Sequence, residues 1–476
     1  MLLCIPLSPG LQEAKTDISM ATKDDSEVRL SHDLSEGEIK ATQKRREKVL
    51  MCLKNLGIHC EQNNVPNIVV LGSGGGLRAL IALLGTLVEL KKNNLLDAVM
   101  YLCGVSGSTW CMSLLYEDRK WSENLMSLEK ELCKNLSNLS WHITKAKESL
   151  AESSKDEHYS LTDFWASCFV YKILQQFDEN ELADHREASE TGINPYPIYA
   201  AVDKEALKEK DGNLPETWFE FTPHEVGYTA LGAFVSTKHF GSEFENGKLK
   251  KKGKKKHICY MQGLWGSALG NMEENLKFIR GSVRDVITVV FKTIQCALTW
   301  KWGTTNNFLY NCPYSQPSYL IKTKTISLID AGLAINSAYP LVLRAQRRTD
   351  LIISFDFSSG DPFETIKKTA TYCQENNIPF PKIEDQKMDE NNPSDCYIFR
   401  GDKSCPTVMH FPLFNNMNCS DKIEEYRKRF PTFHMFFPEG DIKDLLEKAR
   451  LNVSNNIGKI LDEIKCLVSS FHPKEF

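Results

Sequence analysis

Two short segments, about thirty residues apart, constrain this chain more than any other part of its sequence. Each reads as an apolar strand, a turn of small residues and then a helix: residues 69–79 are VVLGSGGGLRA and residues 101–110 are YLCGVSGSTW. A sharp turn from strand to helix needs small residues, and the helix N-terminus then offers backbone N–H groups to whatever occupies the turn. A cradle for negative charge beside an exposed serine hydroxyl is suited to acyl transfer.

The rest of the chain alternates between strands and helices. Apolar runs predict strands at 67–71, 98–105, 325–329 and 350–357, and helical periodicity covers 36–57, 77–95, 108–116, 441–468 and a stretch that follows Asp361. This alternation is typical of an α/β fold with a parallel-rich sheet and helices on both faces. We expect a flexible lead-in at 1–35 and one domain at 36–476, with insertions within about 115–320 that cap the sheet edge.

Composition limits the class of protein. The 476 residues are 42% hydrophobic with a net charge of −4, so the global charge does not point to nucleic acid as a partner. The 15 cysteines form no C-x-x-C pair and many lie in apolar runs, which suits reduced thiols better than disulfides or a metal site. No signal peptide and no apolar run of transmembrane length is present, so we expect a cytoplasmic protein.

Ser106 is the candidate nucleophile. Gly104 and Gly107 permit the tight turn that lifts its hydroxyl toward the N-terminus of the next helix. The motif departs from G-x-S-x-G, because Ser108 stands where the last glycine is usual, and a glycine- and serine-rich loop without chemistry is an equally open alternative.

Gly74, Gly75 and Gly76 are the candidate oxyanion hole, since consecutive glycines let N–H groups converge without obstruction by side chains. A dinucleotide-binding loop fits less well, because Leu77 occupies the sixth position of G-x-G-x-x-G. Arg78, in the first turn of the helix, opposes the helix dipole, which favours a contact with an anionic substrate group over a role in helix stability; a solvated arginine is the alternative.

Asp330 ends the predicted strand at 325–329, and a carboxylate at the carboxyl end of a parallel strand lies on the functional edge of a sheet. An Asx turn that closes the strand is the alternative. Eleven histidines are scattered along the chain without a catalytic setting. If Ser106 is the nucleophile, its base is therefore expected to be a carboxylate.

These segments resemble the cytosolic phospholipase A2 family, most closely its gamma type. The matching stretches are 72–78 (GSGGGLR), 104–110 (GVSGSTW), 217–223 (TWFEFTP), 302–305 (WGTT), 329–336 (IDAGLAIN) and 355–363 (FDFSSGDPF). The resemblance implies a three-layer α/β/α patatin-like domain with a cap insertion. It also implies a Ser–Asp dyad of Ser106 and Asp330, an oxyanion hole at Gly74 to Gly76, and Arg78 as the partner of the substrate phosphate.

The function implied is hydrolysis of the sn-2 ester of glycerophospholipids, with lysophospholipase activity, no metal and no cofactor. Fewer than 70 residues precede the glycine turn, so no C2 domain is expected, and the chain ends HPKEF without a prenylation box. The first point predicts calcium independence. The second predicts that a peripheral contact with phospholipid membranes is made by the protein surface. A catalytically weak lipid-binding protein that keeps the fold is the alternative.

Two segments compete for that membrane contact. One is a run of seven lysines at 248, 250–252 and 254–256, called the lysine run below; its alternative is a solvated loop. The other is an apolar stretch at 275–302, whose alternative is a buried cap helix. The residues predicted to touch the membrane are Lys250, Lys251, Lys252, Lys254, Lys255, Lys256, Trp300 and Trp302.

Overall fold

The structure is a computed structural model. It describes residues 25–138, 143–210, 212–267, 293, 295–296, 299, 301–313, 319–384, 388–432 and 434–471. Most of the predicted apolar segment at 275–302, including Trp300, lies outside these residues.

Twelve of the described strands form one mixed sheet. The strands are β1 (Arg29–Leu30), β2 (Ile68–Gly72), β3 (Tyr101–Gly104), β4 (Tyr196–Asp203), β5 (Trp218–Phe221), β6 (Glu225–Tyr228), β7 (Ala233–Ser236), β8 (Glu243–Glu245), β9 (Lys248–Lys251), β10 (Thr304–Asn306), β11 (Thr325–Asp330), β12 (Leu351–Asp356), β13 (Tyr397–Phe399) and β14 (Thr407–Pro412). The order is β1-β7-β6-β5-β4-β3-β2-β12-β14-β13, β11 also pairs with β4 and β10, and β8 and β9 form a separate hairpin.

The α-helices of the described residues are α1 (Glu36–Asn55), α2 (Gly76–Lys92), α3 (Gly107–Leu115), α4 (Trp121–Leu136), α5 (Ile143–Ser153), α6 (Leu161–Trp165), α7 (Tyr171–Leu174), α8 (Arg186–Ser189), α9 (Lys204–Lys210), α10 (Ile258–Trp265), α11 (Tyr339–Val342), α12 (Glu364–Glu375), α13 (Ile423–Arg429), α14 (Glu439–Ser454) and α15 (Ile457–Phe471). Helix α2 is buried along almost its whole length and packs against α3 and α14. Its Gly85 permits this packing, because a Cβ there would lie 2.8 Å from the carbonyl oxygen of Leu446.

The centre of the sheet is parallel, as the alternation of elements predicts. Strands β4, β3, β2, β12 and β14 run in the same direction and are almost entirely buried, which matches their continuous apolar sequences. The predicted strands at 67–71, 98–105 and 350–357 are therefore found with ends shifted by up to three residues. The prediction of an α/β fold is confirmed.

Three expectations about the fold need correction. Strands β4 to β7 lie in the central sheet, so much of 115–320 extends the sheet rather than capping it. The fold also begins before residue 36, because β1 pairs with β7 and Arg29 forms an ion pair with Glu225. Strand β11 is antiparallel to its neighbour β4, whereas the sequence led us to expect a parallel strand before Asp330.

That antiparallel pairing determines where the site forms. Strand β3 runs parallel to β4 and stops at Gly104, opposite Tyr199. Strand β11 approaches from the other direction and stops at Asp330, opposite Ala201. Because Tyr199 and Ala201 are two residues apart on β4, the two strand ends lie roughly 7 Å apart along it.

Candidate active site

Ser106 occupies a strained turn between β3 and α3. Its φ of 51° and ψ of −121° are sparsely populated by residues other than glycine. Such strain persists only where the surroundings enforce it, and it is the backbone signature of an exposed nucleophile at a strand-to-helix turn. A Cβ at Gly107 would lie 1.9 Å from the carbonyl oxygen of Gly76, so glycine is required where α3 starts against the other turn.

The glycine turn before α2 leaves two donors available. Gly75 and Gly76 have φ values of 148° and 60°, and a Cβ on them would lie 2.5 Å from the guanidinium of Arg78 and 2.4 Å from the carbonyl oxygen of Thr432. Their N–H groups stand at the N-terminus of α2, where the helix provides no acceptor, and neither donates to a described residue. Ser106 lines one cavity together with Gly76 and a second cavity together with Gly75.

Gly74 does not share this role. Its N–H donates to the carbonyl oxygen of Asn336 at 3.0 Å. The prediction of three donors is therefore reduced to two, because an N–H with an internal acceptor is not free to bind an oxyanion.

Asp330 lies in the same cavity as Ser106 and is fully buried. Its Oδ1 accepts a hydrogen bond from the Gly332 N–H at 2.8 Å, and its own N–H donates to Ser267 Oγ at 3.2 Å. The Asx turn expected as an alternative is thus present, and it holds the carboxylate in the wall of the cavity that Ser106 also lines.

The serine at position 108 has a structural reason. Ser108 is fully buried, and its Oγ donates to the carbonyl oxygen of Ser73 at 2.7 Å. Ser73 Oγ in turn accepts from the Phe357 N–H at 2.7 Å. The departure from G-x-S-x-G therefore ties α3 to the glycine turn and to the end of β12.

Arg78 is 1% exposed, and three of its five N–H groups already donate to protein acceptors. These acceptors are the carbonyl oxygens of Phe357 (2.7 Å) and Phe430 (2.6 Å) and Thr432 Oγ1 (3.2 Å). Burial lowers the pKa of the guanidinium to about 10, which Asp356 partly opposes. Arg78 lines the cavity that contains Ser106 and Asp330. Its hydrogen bonds also hold the segment at 430–432 against the glycine turn.

Two cavities of different character meet at Ser106. The polar one has a volume of about 260 Å³ and includes Arg78, Asp330, Asn336, Glu364 and Lys368. The apolar one has a volume of about 40 Å³ and includes Leu77, Trp110, Trp165, Ile173 and Met435. An ester at Ser106 can therefore extend an apolar group to one side and a polar group to the other.

Some residues at the site were not found from the sequence. Asn336 and Lys368 line the polar cavity, and Thr432 and His434 line the apolar one. The stretch 329–336 contains Asn336 within a recognised segment, but nothing in the residue itself indicates a role. His434 lies 328 residues after Ser106 in the chain (434 − 106), so no local pattern could join them.

The lysine run occupies β9, the second strand of the hairpin, and the loop after it. Five of its seven lysines form ion pairs with carboxylates: Lys248 with Glu27, Lys250 with Glu243 and Glu245, Lys254 with Glu152, Lys255 with Glu181, and Lys256 with Asp156. Lys251 and Lys252 form no ion pair with a described residue. Because most of its charge is compensated, the run offers an anionic surface less attraction than its sequence predicts.

Trp302 is 4% exposed, so the prediction that its ring contacts a membrane is wrong. Among the described residues, no helix is both long and apolar enough to cross a bilayer.

Comparison with known proteins gives consistent results. Residues 68–276, which include both glycine turns, match the model of a lysophospholipase catalytic domain. Human cytosolic phospholipase A2 gamma is 37% identical over 94% of this chain and 98% of its own length, and the mouse protein of the same name is 36% identical over 91% of each.

Solved structures agree with these matches. Human GIVD cytosolic phospholipase A2 superposes with a TM-score of 0.79 at 26% identity, over 94% of this chain and 69% of that one. The same human protein in complex with methyl gamma-linolenyl fluorophosphonate gives a TM-score of 0.76 at 29% identity, over 93% of this chain and 66% of that one. On the extent of these matches, the chain belongs to the cytosolic phospholipase A2 family.

Proposed function

We propose that this chain is a phospholipase A2 and lysophospholipase that cleaves the sn-2 ester of glycerophospholipids through Ser106 and Asp330, without calcium. One observation carries the proposal. A serine in a strained turn shares a cavity with a buried carboxylate and with the N-terminus of α2, where two glycine N–H groups lack a described acceptor. These are the parts that acyl transfer through a covalent intermediate requires.

Asp330 acts as the general base in this mechanism. It accepts the Ser106 proton as Oγ attacks the ester carbonyl, and the N–H groups of Gly75 and Gly76 bind the oxyanion of the tetrahedral intermediate. The leaving lysophospholipid takes the proton, and water then hydrolyses the acyl-serine. Asp330 is suited to this task because the Gly332 N–H fixes its orientation.

The two cavities support a definite substrate orientation. The first carbons of the acyl chain enter the apolar cavity of about 40 Å³ beside Trp110 and Trp165, whose indole N–H groups donate to the backbone carbonyls of Gln262 and Gly266. The glycerophosphate side occupies the polar cavity, where Arg78 retains two N–H groups beyond its three internal bonds. Arg78 thus contributes positive potential to a phosphate from a fixed position.

Phospholipid membranes are the proposed partner, and the rim of the cavities is the proposed contact. Leu333 is 46% exposed and lines the polar cavity with Ser106, which places a large apolar side chain at its mouth. The oxyanion is bound by backbone N–H groups and a helix N-terminus, so the mechanism assigns no step to calcium. Contact at this rim brings the ester to the serine, and the lysine run adds only salt-sensitive attraction to anionic lipid.

The test uses a phospholipid labelled separately at the sn-1 and sn-2 chains, with and without a calcium chelator. The wild-type chain should release the sn-2 label at the same rate in both conditions. Ser106→Ala and Asp330→Asn should each lose turnover to the trace level. Release of the sn-1 label first, or dependence on calcium, would contradict the proposal.

His434 provides the critical control, because it is the histidine that shares the apolar cavity with Ser106. Its ring packs edge to face on Phe437 at 5.5 Å, at the exposed rim. His434→Ala should keep most of the activity. If His434→Ala is inactive and Asp330→Asn is active, histidine is the base and the dyad is refuted.

A further inference from the structure

We propose that Asn336 is a positioning residue that sets the direction of the oxyanion-hole N–H of Gly75. The inference rests on the proposed function, because it gives a reason for the geometry of that oxyanion hole. Asn336 follows Asp330 by six residues and lines the same polar cavity as Ser106.

Asn336 binds both polar groups of Gly74. Its backbone carbonyl oxygen accepts a hydrogen bond from the Gly74 N–H at 3.0 Å, and its side-chain Nδ2 donates to the Gly74 carbonyl oxygen at 3.2 Å. The same Nδ2 donates to Ser358 Oγ at 3.0 Å. The side chain is therefore held at two points, and one of them is the carbonyl of the glycine turn.

The peptide bond between Gly74 and Gly75 transmits this contact. In a planar trans peptide, the C=O of one residue and the N–H of the next point in opposite directions. Fixing the Gly74 carbonyl on Asn336 therefore fixes the direction of the Gly75 N–H. This restraint is needed because glycine permits the peptide plane to rotate, and Gly75 already has a φ of 148° that other residues rarely adopt.

Asn336 also connects the two halves of the proposed dyad. A Cβ at Gly74 would lie 2.5 Å from Asn336 Oδ1 and 3.0 Å from the Ser106 Cβ. A Cβ at Gly332 would lie 3.1 Å from both Asn336 Oδ1 and Asp330 Oδ1. The amide thus fills the space between the glycine turn and the turn that orients Asp330, so its loss would loosen the turn that carries one of the donors.

The test compares Asn336→Ala and Asn336→Asp with Asn376→Asp as the matched control. Asn376 is also half-buried, and its Nδ2 also donates to two backbone carbonyls, those of Asn213 and Tyr372 at 2.9 Å, but it does not line either cavity at Ser106. Aspartate preserves the shape of Asn336 and removes its donor. Each variant is assayed for kcat and KM on a phospholipid and on an uncharged aryl ester, and over a range of pH.

Both Asn336 variants should lose kcat by about 10- to 100-fold on both substrates with little change in KM, because the oxyanion donor is misdirected for any ester. Asn336→Asp should also move the acid limb of the pH profile upward, since a second carboxylate disfavours ionisation of Asp330. Asn376→Asp should keep wild-type kinetics.

Three results would overturn the inference. The first is full activity of both Asn336 variants. The second is a loss of activity confined to the phospholipid, which would make Asn336 a headgroup contact. The third is an equal loss in Asn376→Asp, which would make the effect one of general destabilisation. Ser106→Ala in the same assay distinguishes a failure of this inference from a failure of the proposed function. If Ser106→Ala is inactive and the Asn336 variants are normal, this inference fails while the dyad stands; if Ser106→Ala is active, the proposed function itself fails.

Discussion

Gly76 offers the sharpest single perturbation of the oxyanion hole. Gly76→Ala adds one methyl group, but the residue has a φ of 60° and the new Cβ would lie 2.4 Å from the carbonyl oxygen of Thr432. Ordinary contact begins near 3.4 Å, so either the turn or the segment at 432 must move by about 1 Å. A shift of that size carries the Gly76 N–H away from the position of the oxyanion.

The magnitude follows from two separate terms. Left-handed backbone strain in alanine costs about 1–2 kcal/mol, and overpacking costs about 1–3 kcal/mol, so unfolding free energy should fall by about 2–5 kcal/mol. Misplacing the donor should lower kcat/KM by about 100-fold, or about 2.7 kcal/mol of barrier.

Gly57→Ala is the matched control, because Gly57 has a φ of 74° and an added Cβ there meets no heavy atom within 4 Å. It should lose only the strain of about 1–2 kcal/mol in urea unfolding and keep full esterase activity. Full activity in Gly76→Ala, at a stability comparable to that of Gly57→Ala, would refute the assignment of Gly76 to the oxyanion hole.

Three further predictions concern other parts of the molecule. Arg78→Lys should impair phospholipid hydrolysis more than aryl ester hydrolysis, since lysine keeps the charge and loses the planar fork; equal losses would make Arg78 purely structural. Replacing Lys251 and Lys252 with glutamine should weaken binding to anionic vesicles at low salt, whereas the double change of Lys248 and Glu27 to glutamine should have little effect because it removes an ion pair without changing the net charge. Burial lowers the pKa of His185 to about 4 from its usual 6.5, so between pH 6.5 and pH 4 wild type should lose about 3 kcal/mol more stability in urea unfolding than His185→Asn does; equal losses in the two proteins would contradict this.

Local sequence patterns predicted the elements that carry the site. The apolar runs before Gly72 and Gly104 fixed two parallel strands, and the glycines that follow them fixed the turns, because a strand-to-helix turn tolerates few residue types. Ser106 was therefore a candidate nucleophile from about ten residues of sequence, with a loop without chemistry as the alternative. Asp330 was predicted as its partner only with the help of a resemblance, because an aspartate at a strand end is common.

Contacts between distant parts of the chain were not predictable in this way. The antiparallel pairing of β11 with β4 brings Asp330 to Ser106 from the opposite direction, and no periodicity encodes which strand β11 joins. Asn336 binds Gly74 across 262 residues. The lysine run likewise looked uncompensated because partners such as Glu27 and Glu152 lie far from it in sequence.

The dyad is tested most directly by covalent labelling with a fluorophosphonate, read by mass spectrometry of the digested protein. The reagent's phosphorus is attacked by an activated serine, so the adduct marks the nucleophile without reference to lipid binding. We predict one adduct on the peptide that contains Ser106, formed at least about 100-fold more slowly in Asp330→Asn and absent in Ser106→Ala. An adduct on another residue, or undiminished labelling in Asp330→Asn, would contradict it.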